Sequence, residues 1–157
     1  MRQANAKRPL LWLDDLAPGQ AFESSCRTIT RDEIVTFAAA FDPQPFHVDE
    51  EAAKASLFKG LAASGIHTFA VSIRLLLEST FALANGLIST GGEIQWKKPV
   101  RPGDVLRLKI EISDVATDPE SHRGTVTLDI QTLNQNDEVV QTFVPRVVAF
   151  KRPRNSH

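Results

Sequence analysis

The stretch that decides the fold is SGIHTFAVSIRLLLESTFALANG, residues 64–86. From Ile66 onward its apolar side chains recur at every third or fourth position, a spacing that places them on one broad face of an α-helix. The residues of this face are Phe69, Ala70, Ile73, Leu76, Leu77, Phe81 and Ala84. Asn85 and Gly86 are typical of a helix end. The sequence therefore predicts one long helix with an apolar face to bury.

Downstream of this helix, apolar and polar residues alternate, as they do in half-buried strands. A fourth run, residues 138–150, is interrupted by Pro145, where we expect the strand to break. Loops at residues 99–104, 117–123 and 134–137 join the runs as a predicted meander. The apolar positions of the first three runs are Ile94 and Trp96; Leu106, Leu108, Ile110 and Ile112; and Val126, Leu128 and Ile130.

Upstream of residue 64 we predict one strand at residues 22–29, followed by two shorter helices. Thr30 and Glu33 have capping-box spacing ahead of the first helix, which must end by residue 42 because prolines follow at 43 and 45. The two prolines predict a stiff, non-helical corner at residues 42–46. Asp49 then caps a short helix over residues 50–56.

The simplest packing of these elements is an α+β arrangement, an antiparallel sheet wrapped around one long central helix. One domain is predicted over residues 10–150, with polar tails at 1–9 and 151–157. Exposed strand edges favour a homodimer or a higher homo-oligomer. The basic side chains of the C-terminal tail lie either in solvent or against the phosphates of coenzyme A in a dimer.

Composition excludes several classes of protein. Eighteen Lys and Arg against nineteen Asp and Glu provide no basic field for nucleic acid. No apolar run is long enough to span a membrane, and no export signal is evident, so we expect a cytoplasmic protein. Cys26 is the only cysteine, which suits a reducing compartment and is typical of a structural thiol.

The densest chemical segment is residues 42–49, DPQPFHVD. Asp42 and His47 are five positions apart on the proline-stiffened corner, where together they could position a water molecule, one accepting its proton and the other donating. The residues alone also allow a plain alternative, with Asp42 in a turn and His47 exposed. A metal site at His47, Asp49 and Glu50 lacks further ligands, and we predict none.

The segment DPQPFHVDEEAAK, with FKGLAASG at residues 58–65, resembles the MaoC-like dehydratases, the family of (R)-specific enoyl-CoA hydratases. The resemblance implies a hot-dog fold and reversible addition of water to a trans-2-enoyl thioester of coenzyme A or acyl carrier protein. It also implies that no metal or redox cofactor takes part. Asp42 and His47 then hold and activate the water, and the N–H of Gly65 polarises the thioester carbonyl, a role that suits a helix N-terminus.

Five residues next to these positions are predicted to contact the substrate: Gln44, Phe46, Ser64, Ile66 and His67, the last from its place in the first turn of the long helix. Three positions depart from the family pattern, because Gln44, Ser64 and Ala70 stand where Asn, His and Ser are usual. Ser64 is also a good N-cap for the long helix, and His67 also fits a helix surface or the core. Trp96 is expected in the core or lining a tunnel.

Three functions follow from these observations. The first is a hydratase or dehydratase of enoyl and 3-hydroxyacyl thioesters. The second is a hot-dog thioesterase, and the third is a catalytically silent acyl-CoA-binding subunit, which the three departures suggest.

Overall fold

The computed structural model describes residues 8–154; the predicted tail residues 1–7 and 155–157 lie outside it, and the division into one domain and two tails stays a prediction. A short 3-10 helix spans Leu13–Asp15. The helices are α1 (Arg31–Phe41), α2 (Pro45–Val48), α3 (Glu50–Lys54) and α4 (Gly65–Glu78). The strands are β1 (Ala21–Glu23), β2 (Arg27–Thr28), β3 (Ser89–Trp96), β4 (Val105–Thr117), β5 (Arg123–Leu133) and β6 (Val139–Phe150).

The long helix α4 exists but is shorter than predicted. It ends at Glu78 because Ser79 takes an extended conformation and its hydroxyl caps the carbonyl of Leu76 at 2.6 Å. Residues 82–84 then leave the helix path and bond the backbone of Leu11, at 2.8 and 2.9 Å. Phe81 and Leu83 are still buried, through this extended segment and not through the helix.

The buried face of α4 is also rotated from the predicted one. Ala70 is exposed and Leu77 is 48% exposed, although both were assigned to the apolar face. Polar residues take their place in the interior, since Ser72 is only 3% exposed. The residues of α4 that are buried are His67, Thr68, Val71, Ser72, Leu75 and Leu76.

The strands form one antiparallel sheet in the order β1-β4-β5-β6-β3, with β2 also paired to β4. The predicted meander is confirmed for β4, β5 and β6. It is wrong for the loop at residues 99–104, because β3 pairs with β6 at the far edge and this loop crosses to β4. The single strand predicted at residues 22–29 is split into β1 and β2, with residues 24–26 between them.

Pro145 does not break its strand, contrary to the prediction. It lies opposite Gly92 of β3, where an added Cβ would come within 2.7 Å of the Pro145 Cα. The glycine lets the two backbones approach closely there, and no residue of β5 pairs with Val144 or Pro145. Proline is tolerated where the ladder is interrupted, so β6 continues to Phe150.

The core lies between the sheet and the helices. The predicted inward positions of β4 and β5 are all buried, as strand alternation requires. Leu75 and Leu76 of α4 and Ile34 of α1 complete this interior, each 1% exposed or less. Among residues 8–154, no helix is long and apolar enough to cross a membrane.

The start of the C-terminal tail is held against the molecule. The N–H of Arg152 donates to Asp14 at 2.7 Å, and its guanidinium bonds Asp15 at 2.9 Å. Arg152 also lies 5.9 Å from the ring of Trp12. This cation is therefore paired with Asp15, although its side chain stays 57% exposed, as expected for a tail.

Candidate active site

Asp42 stands at the junction between α1 and the corner. Its N–H bonds the carbonyl of Ala38 at 2.8 Å, and its backbone then leaves the helix because Pro43 follows. The other end of α1 is closed by the predicted capping box, since Thr30 and Glu33 each accept from the other's N–H. Because both ends of α1 are fixed, the Asp42 carboxylate has a defined position at the C-terminus of this helix.

The corner is partly helical, which corrects the prediction of an extended segment through Phe46. Pro45 opens α2, because a proline in the first helical turn has a suitable φ and needs no N–H partner there. The N–H of His47 bonds the carbonyl of Gln44 at 2.9 Å. This tight turn brings the His47 Nε2 to 3.4 Å from an Asp42 carboxylate oxygen.

The orientation of His47 is set by the loop ahead of α4. Its Nδ1 lies 2.6 Å from the carbonyl oxygen of Ala62, which can only accept, so Nδ1 carries a proton. Nε2 is thereby the nitrogen that faces Asp42. His47 is 5% exposed and meets the Phe46 ring edge-on, so the alternative of an exposed histidine is wrong.

The Asp42 carboxylate receives two side-chain donors. Ser64 Oγ donates to one oxygen at 2.7 Å, and the Gln44 amide donates to the other at 2.6 Å. These bonds, that from Ser64 first, hold the pKa of Asp42 below its ordinary value because they stabilise the ionised form. Gln44, which departs from the family pattern, still reaches the carboxylate.

Ser64 has two roles in the structure. It is the N-cap of α4, with its Oγ accepting from the N–H of Ile66 at 3.3 Å, as the capping alternative predicts. The same hydroxyl donates to Asp42, so the start of α4 and the corner are joined through one fully buried side chain. Its direct contact with substrate stays a prediction.

Gly65 begins α4, where an N–H has no partner within the helix. No hydrogen bond formed by residues 8–154 uses this N–H. The indole of Trp96 lies so close that a Cβ on Gly65 would sit 2.5 Å from a ring carbon. The Trp96 Nε1 also donates to the Gly65 carbonyl at 3.0 Å. Only glycine fits this position, and its N–H is free for a ligand.

A cleft of about 670 Å³ brings these groups together. Four predicted substrate-binding residues line it, namely Gln44, Phe46, Ser64 and Ile66. Trp96, expected in the core or lining a tunnel, is 52% exposed and forms part of the wall of this cleft. The prediction of site residues did not include Phe58, Thr68, Lys97 and Lys98, which also line the cleft.

His67 is not part of the cleft lining, unlike the prediction. Its ring stacks on Phe37 of α1 with centroids 4.6 Å apart, and the residue is 7% exposed. Its Nδ1 has no hydrogen-bond partner in the part of the chain that the structure describes. Burial lowers the pKa of His67, because the charged imidazolium would lose its hydration.

Asp49 and Glu50, candidate metal ligands together with His47, have other partners. Asp49 caps α3 by accepting from the N–H of Ala52 at 2.9 Å, and Glu50 pairs with Arg31. Within residues 8–154, no three His, Cys, Asp or Glu side chains come together as a ligand set.

Comparison with known proteins connects this geometry to a family. The model of the MaoC like domain matches residues 15–134, which contain the corner, the cleft and most of the sheet. The chain belongs to the MaoC-like dehydratase family. This confirms the resemblance, and the solved relatives of this MaoC-like chain confirm the predicted hot-dog fold.

One solved relative of the MaoC-like chain is the MaoC-like dehydratase from Rhodospirillum rubrum, 47% identical with a TM-score of 0.89, over 92% of this chain and 99% of that one. The uncharacterized protein YdeM of Bacillus subtilis is 36% identical over 80% of this chain and 89% of its own length. An (R)-specific enoyl-CoA hydratase of Rhodospirillum rubrum is 27% identical over 76% of this chain and 83% of its own.

Proposed function

We propose that this protein catalyses the reversible hydration of trans-2-enoyl thioesters to (R)-3-hydroxyacyl thioesters, with coenzyme A or acyl carrier protein as the handle. The observation that carries the proposal is the pairing of the Asp42 carboxylate with His47 Nε2, 3.4 Å apart, in the cleft that also contains Gly65. Family membership and the hydratase relative support the same chemistry.

In the proposed reaction, a water molecule lies between Asp42 and His47. The bond from Nδ1 to Ala62 leaves Nε2 of the neutral ring as an acceptor, so His47 takes one proton as the water oxygen bonds C3 of the enoyl group. The same proton is then delivered to C2, and the other stays on the new hydroxyl. Asp42, kept ionised by Ser64 and Gln44, orients the water and stabilises the transient imidazolium.

The thioester carbonyl accepts from the Gly65 N–H in this proposal. Negative charge develops on that oxygen as water adds, and an unpaired N–H at the start of α4 favours it. Acid–base and electrostatic groups of the chain suffice for each step, so the proposal includes no metal or redox cofactor. Coenzyme A enters only as part of the substrate.

Space for the acyl chain is available beyond the cleft. An apolar cavity of about 380 Å³ lies along the same seam between α4 and β3. Phe69 and Ile73 of α4 face Ile94 of β3 and Phe143 of β6 there. A hydrocarbon chain attached to a thioester in the cleft fits such a lining.

A homodimer is part of the proposal. Strand β3 lies at the edge of the sheet, and its residues are mostly exposed, so a second copy can pair with it. Phe41, Ile66 and Trp96, each at least 52% exposed, lie at the mouth of the cleft and offer apolar contact area. A cytoplasmic location completes the proposal, since one lone cysteine suits a reducing compartment.

The deciding experiment follows crotonyl-CoA by ultraviolet absorbance, with a thiol-release assay on the same samples. We expect loss of the enoyl thioester absorbance, an (R)-3-hydroxy product and no free thiol. Thiol release without hydration would identify a thioesterase instead. Binding of acyl-CoA without turnover would identify a silent subunit.

A further inference from the structure

One buried polar residue has no role in the reaction described above. Gln141 of β6 is 0% exposed and is the only buried polar residue among the largest fully buried side chains of residues 8–154. It reaches this position because β6 carries a bulge: Thr132 pairs with Gln141 but Leu133 pairs with Val139, so Val140 is an extra residue. Bulges of this kind re-aim side chains and are common beside active sites.

The hydrogen bonds of Gln141 have a defined donor order, from Trp96 through Gln141 to Ser72. Trp96, its cross-strand partner, has an indole N–H that can only donate, and it lies 3.1 Å from the Gln141 Oε1. The amide nitrogen must therefore donate onward, to Ser72 Oγ at 3.0 Å. Ser72 in turn donates to the carbonyl of Thr68 at 2.9 Å. We call Ser72, Thr132 and Gln141 the buried cluster.

Thr132 completes the buried cluster, with its hydroxyl 2.8 Å from Ser72 Oγ. Every polar atom of the cluster then has a partner, so the amide of Gln141 has one stable orientation. The cluster ties two strands of the sheet to the middle of α4 and has its outer end at the Trp96 indole.

Trp96 transmits this constraint to Gly65. Its indole N–H is shared between Gln141 Oε1 and the Gly65 carbonyl, and its ring fills the space that a Cβ on Gly65 would need. The ring is on the surface, since Trp96 is 52% exposed, and packing on one side alone does not fix its orientation. Among residues 8–154, Gln141 provides the only hydrogen bond between the indole and the sheet interior.

We propose that Gln141 is a positioning residue: by holding the Trp96 indole against Gly65, it sets where the Gly65 N–H meets the thioester carbonyl. The inference rests on the proposed function. A donor displaced by about 1 Å can cost on the order of a hundredfold in rate, so an anchor behind Gly65 has a measurable effect.

The test is a double-mutant cycle on crotonyl-CoA hydration. Gln141→Met keeps the length of the side chain and removes the amide, whereas Trp96→Phe keeps an aromatic ring and removes the N–H. We expect each to lower kcat by about tenfold, with a smaller change in KM, and the double variant to be no worse than either. The control is Val126→Ala, a fully buried truncation outside the cluster, which should lower Tm and leave kcat unchanged.

A second readout does not depend on turnover. With Trp12 replaced by Phe, Trp96 is the only indole of the chain, and Gln141→Met should shift its emission to the red and speed its anisotropy decay. Wild-type kcat in Gln141→Met with unchanged Trp96 emission, or a double variant whose losses multiply, would overturn the inference. An inactive wild-type protein refutes the proposed function instead, and the emission still tests the anchor.

Should Gln141→Met not fold, Trp96→Phe decides alone. The tenfold loss of kcat is then expected from a surface substitution, and wild-type kcat in this variant contradicts the inference.

Discussion

The corner at residues 42–47 and the buried cluster are both made of polar side chains, but they are assembled in different ways. The corner takes its two reactive groups from positions five apart, and a helix end and two prolines place them. The buried cluster takes Ser72, Thr132 and Gln141 from a helix and two strands, up to 69 positions apart. The carboxylate of the corner opens on the cleft, whereas the cluster is sealed within the core.

The two regions therefore have different tasks: the corner provides the groups that exchange protons, and the buried cluster holds other groups in position. The corner can change charge because the carboxylate of Asp42, 20% exposed, reaches solvent and lines the cleft. The cluster cannot ionise, and its hydrogen bonds are worth most as a rigid support in the low-dielectric interior. Gly65 lies where the two meet, with Ser64 connecting it to the corner and Trp96 connecting it to the cluster. Substitutions in the corner should therefore act on the proton transfers, and substitutions in the buried cluster should act on the position of Gly65.

The largest effect should come from Asp42→Asn at the corner. Loss of the negative charge removes water orientation and imidazolium stabilisation, so we expect a fall of about a thousandfold in kcat for crotonyl-CoA hydration with little change in Tm. Asp49→Asn is the matched control, because Asp49 only caps α3. Near wild-type turnover in Asp42→Asn would show that the carboxylate of Asp42 takes no part in the reaction.

Gly65→Ala tests the point where the two regions meet. The new methyl group would overlap the Trp96 ring, so the indole or the start of α4 must move. We expect kcat to fall by about a hundredfold and the free energy of unfolding to fall by about 1–3 kcal/mol. In Gly60→Ala the nearest atom is a side-chain nitrogen at 3.5 Å, and this control should be tolerated. Equal behaviour of the two variants would contradict the model of a tight Gly65 site.

Ser64→Ala should have a smaller, pH-dependent effect. Without the Ser64 hydroxyl, the ionised carboxylate of Asp42 loses its strongest donor, and the pKa of Asp42 rises. The acid limb of the kcat/KM profile must then move to higher pH, so kcat/KM falls by about tenfold at the pH values of that limb. The loss of the N-cap also lowers the free energy of unfolding by about 1 kcal/mol. Ser79→Ala, at the other end of α4, should cost stability but leave the acid limb in place. If the acid limb of the kcat/KM profile stays in place in Ser64→Ala, Ser64 does not set the pKa of Asp42.

The smallest effect is expected from His67→Phe, away from the cleft. Burial lowers the pKa of His67 in the folded state, so the unfolded chain binds a proton first as the pH falls through its ordinary value near 6.5. Stability is therefore lost on acidification below that value and kept above it. His67→Phe should flatten this part of the Tm–pH curve by a few degrees or less without changing kcat. A steep curve in the variant would assign the acid sensitivity to another group.

Local rules of the chain were sufficient for much of the fold. The strand alternation at Leu106 to Ile112 and the capping box of α1 appear as predicted, because each depends on neighbours within a few positions. Predictions failed where a distant partner intervened. Pro145 stays in its strand because Gly92 lies opposite, and α4 ends early because the chain after Ser79 pairs with Leu11.

The candidate site divides in the same way. Asp42, His47 and Gly65 could be named from their segment and its resemblance to a family, since the corner is a local structure. The Ala62 carbonyl that sets the His47 tautomer, and the Trp96 ring that requires Gly65, have no local signature. His67 was assigned to the cleft from its place in the first turn of α4, but Phe37 of α1 holds it elsewhere.

The sequence by itself determined the periodicities, the α+β class and the rigid corner, because backbone preference and side-chain alternation act over a few residues. Only the tertiary structure decided which face of α4 is buried and where the long helix ends. It also decided that Gln141 lies in the core behind Trp96. Those outcomes depend on the packing of elements that are far apart in the chain. In a close-packed interior, the position of each side chain is limited by the space that its neighbours leave.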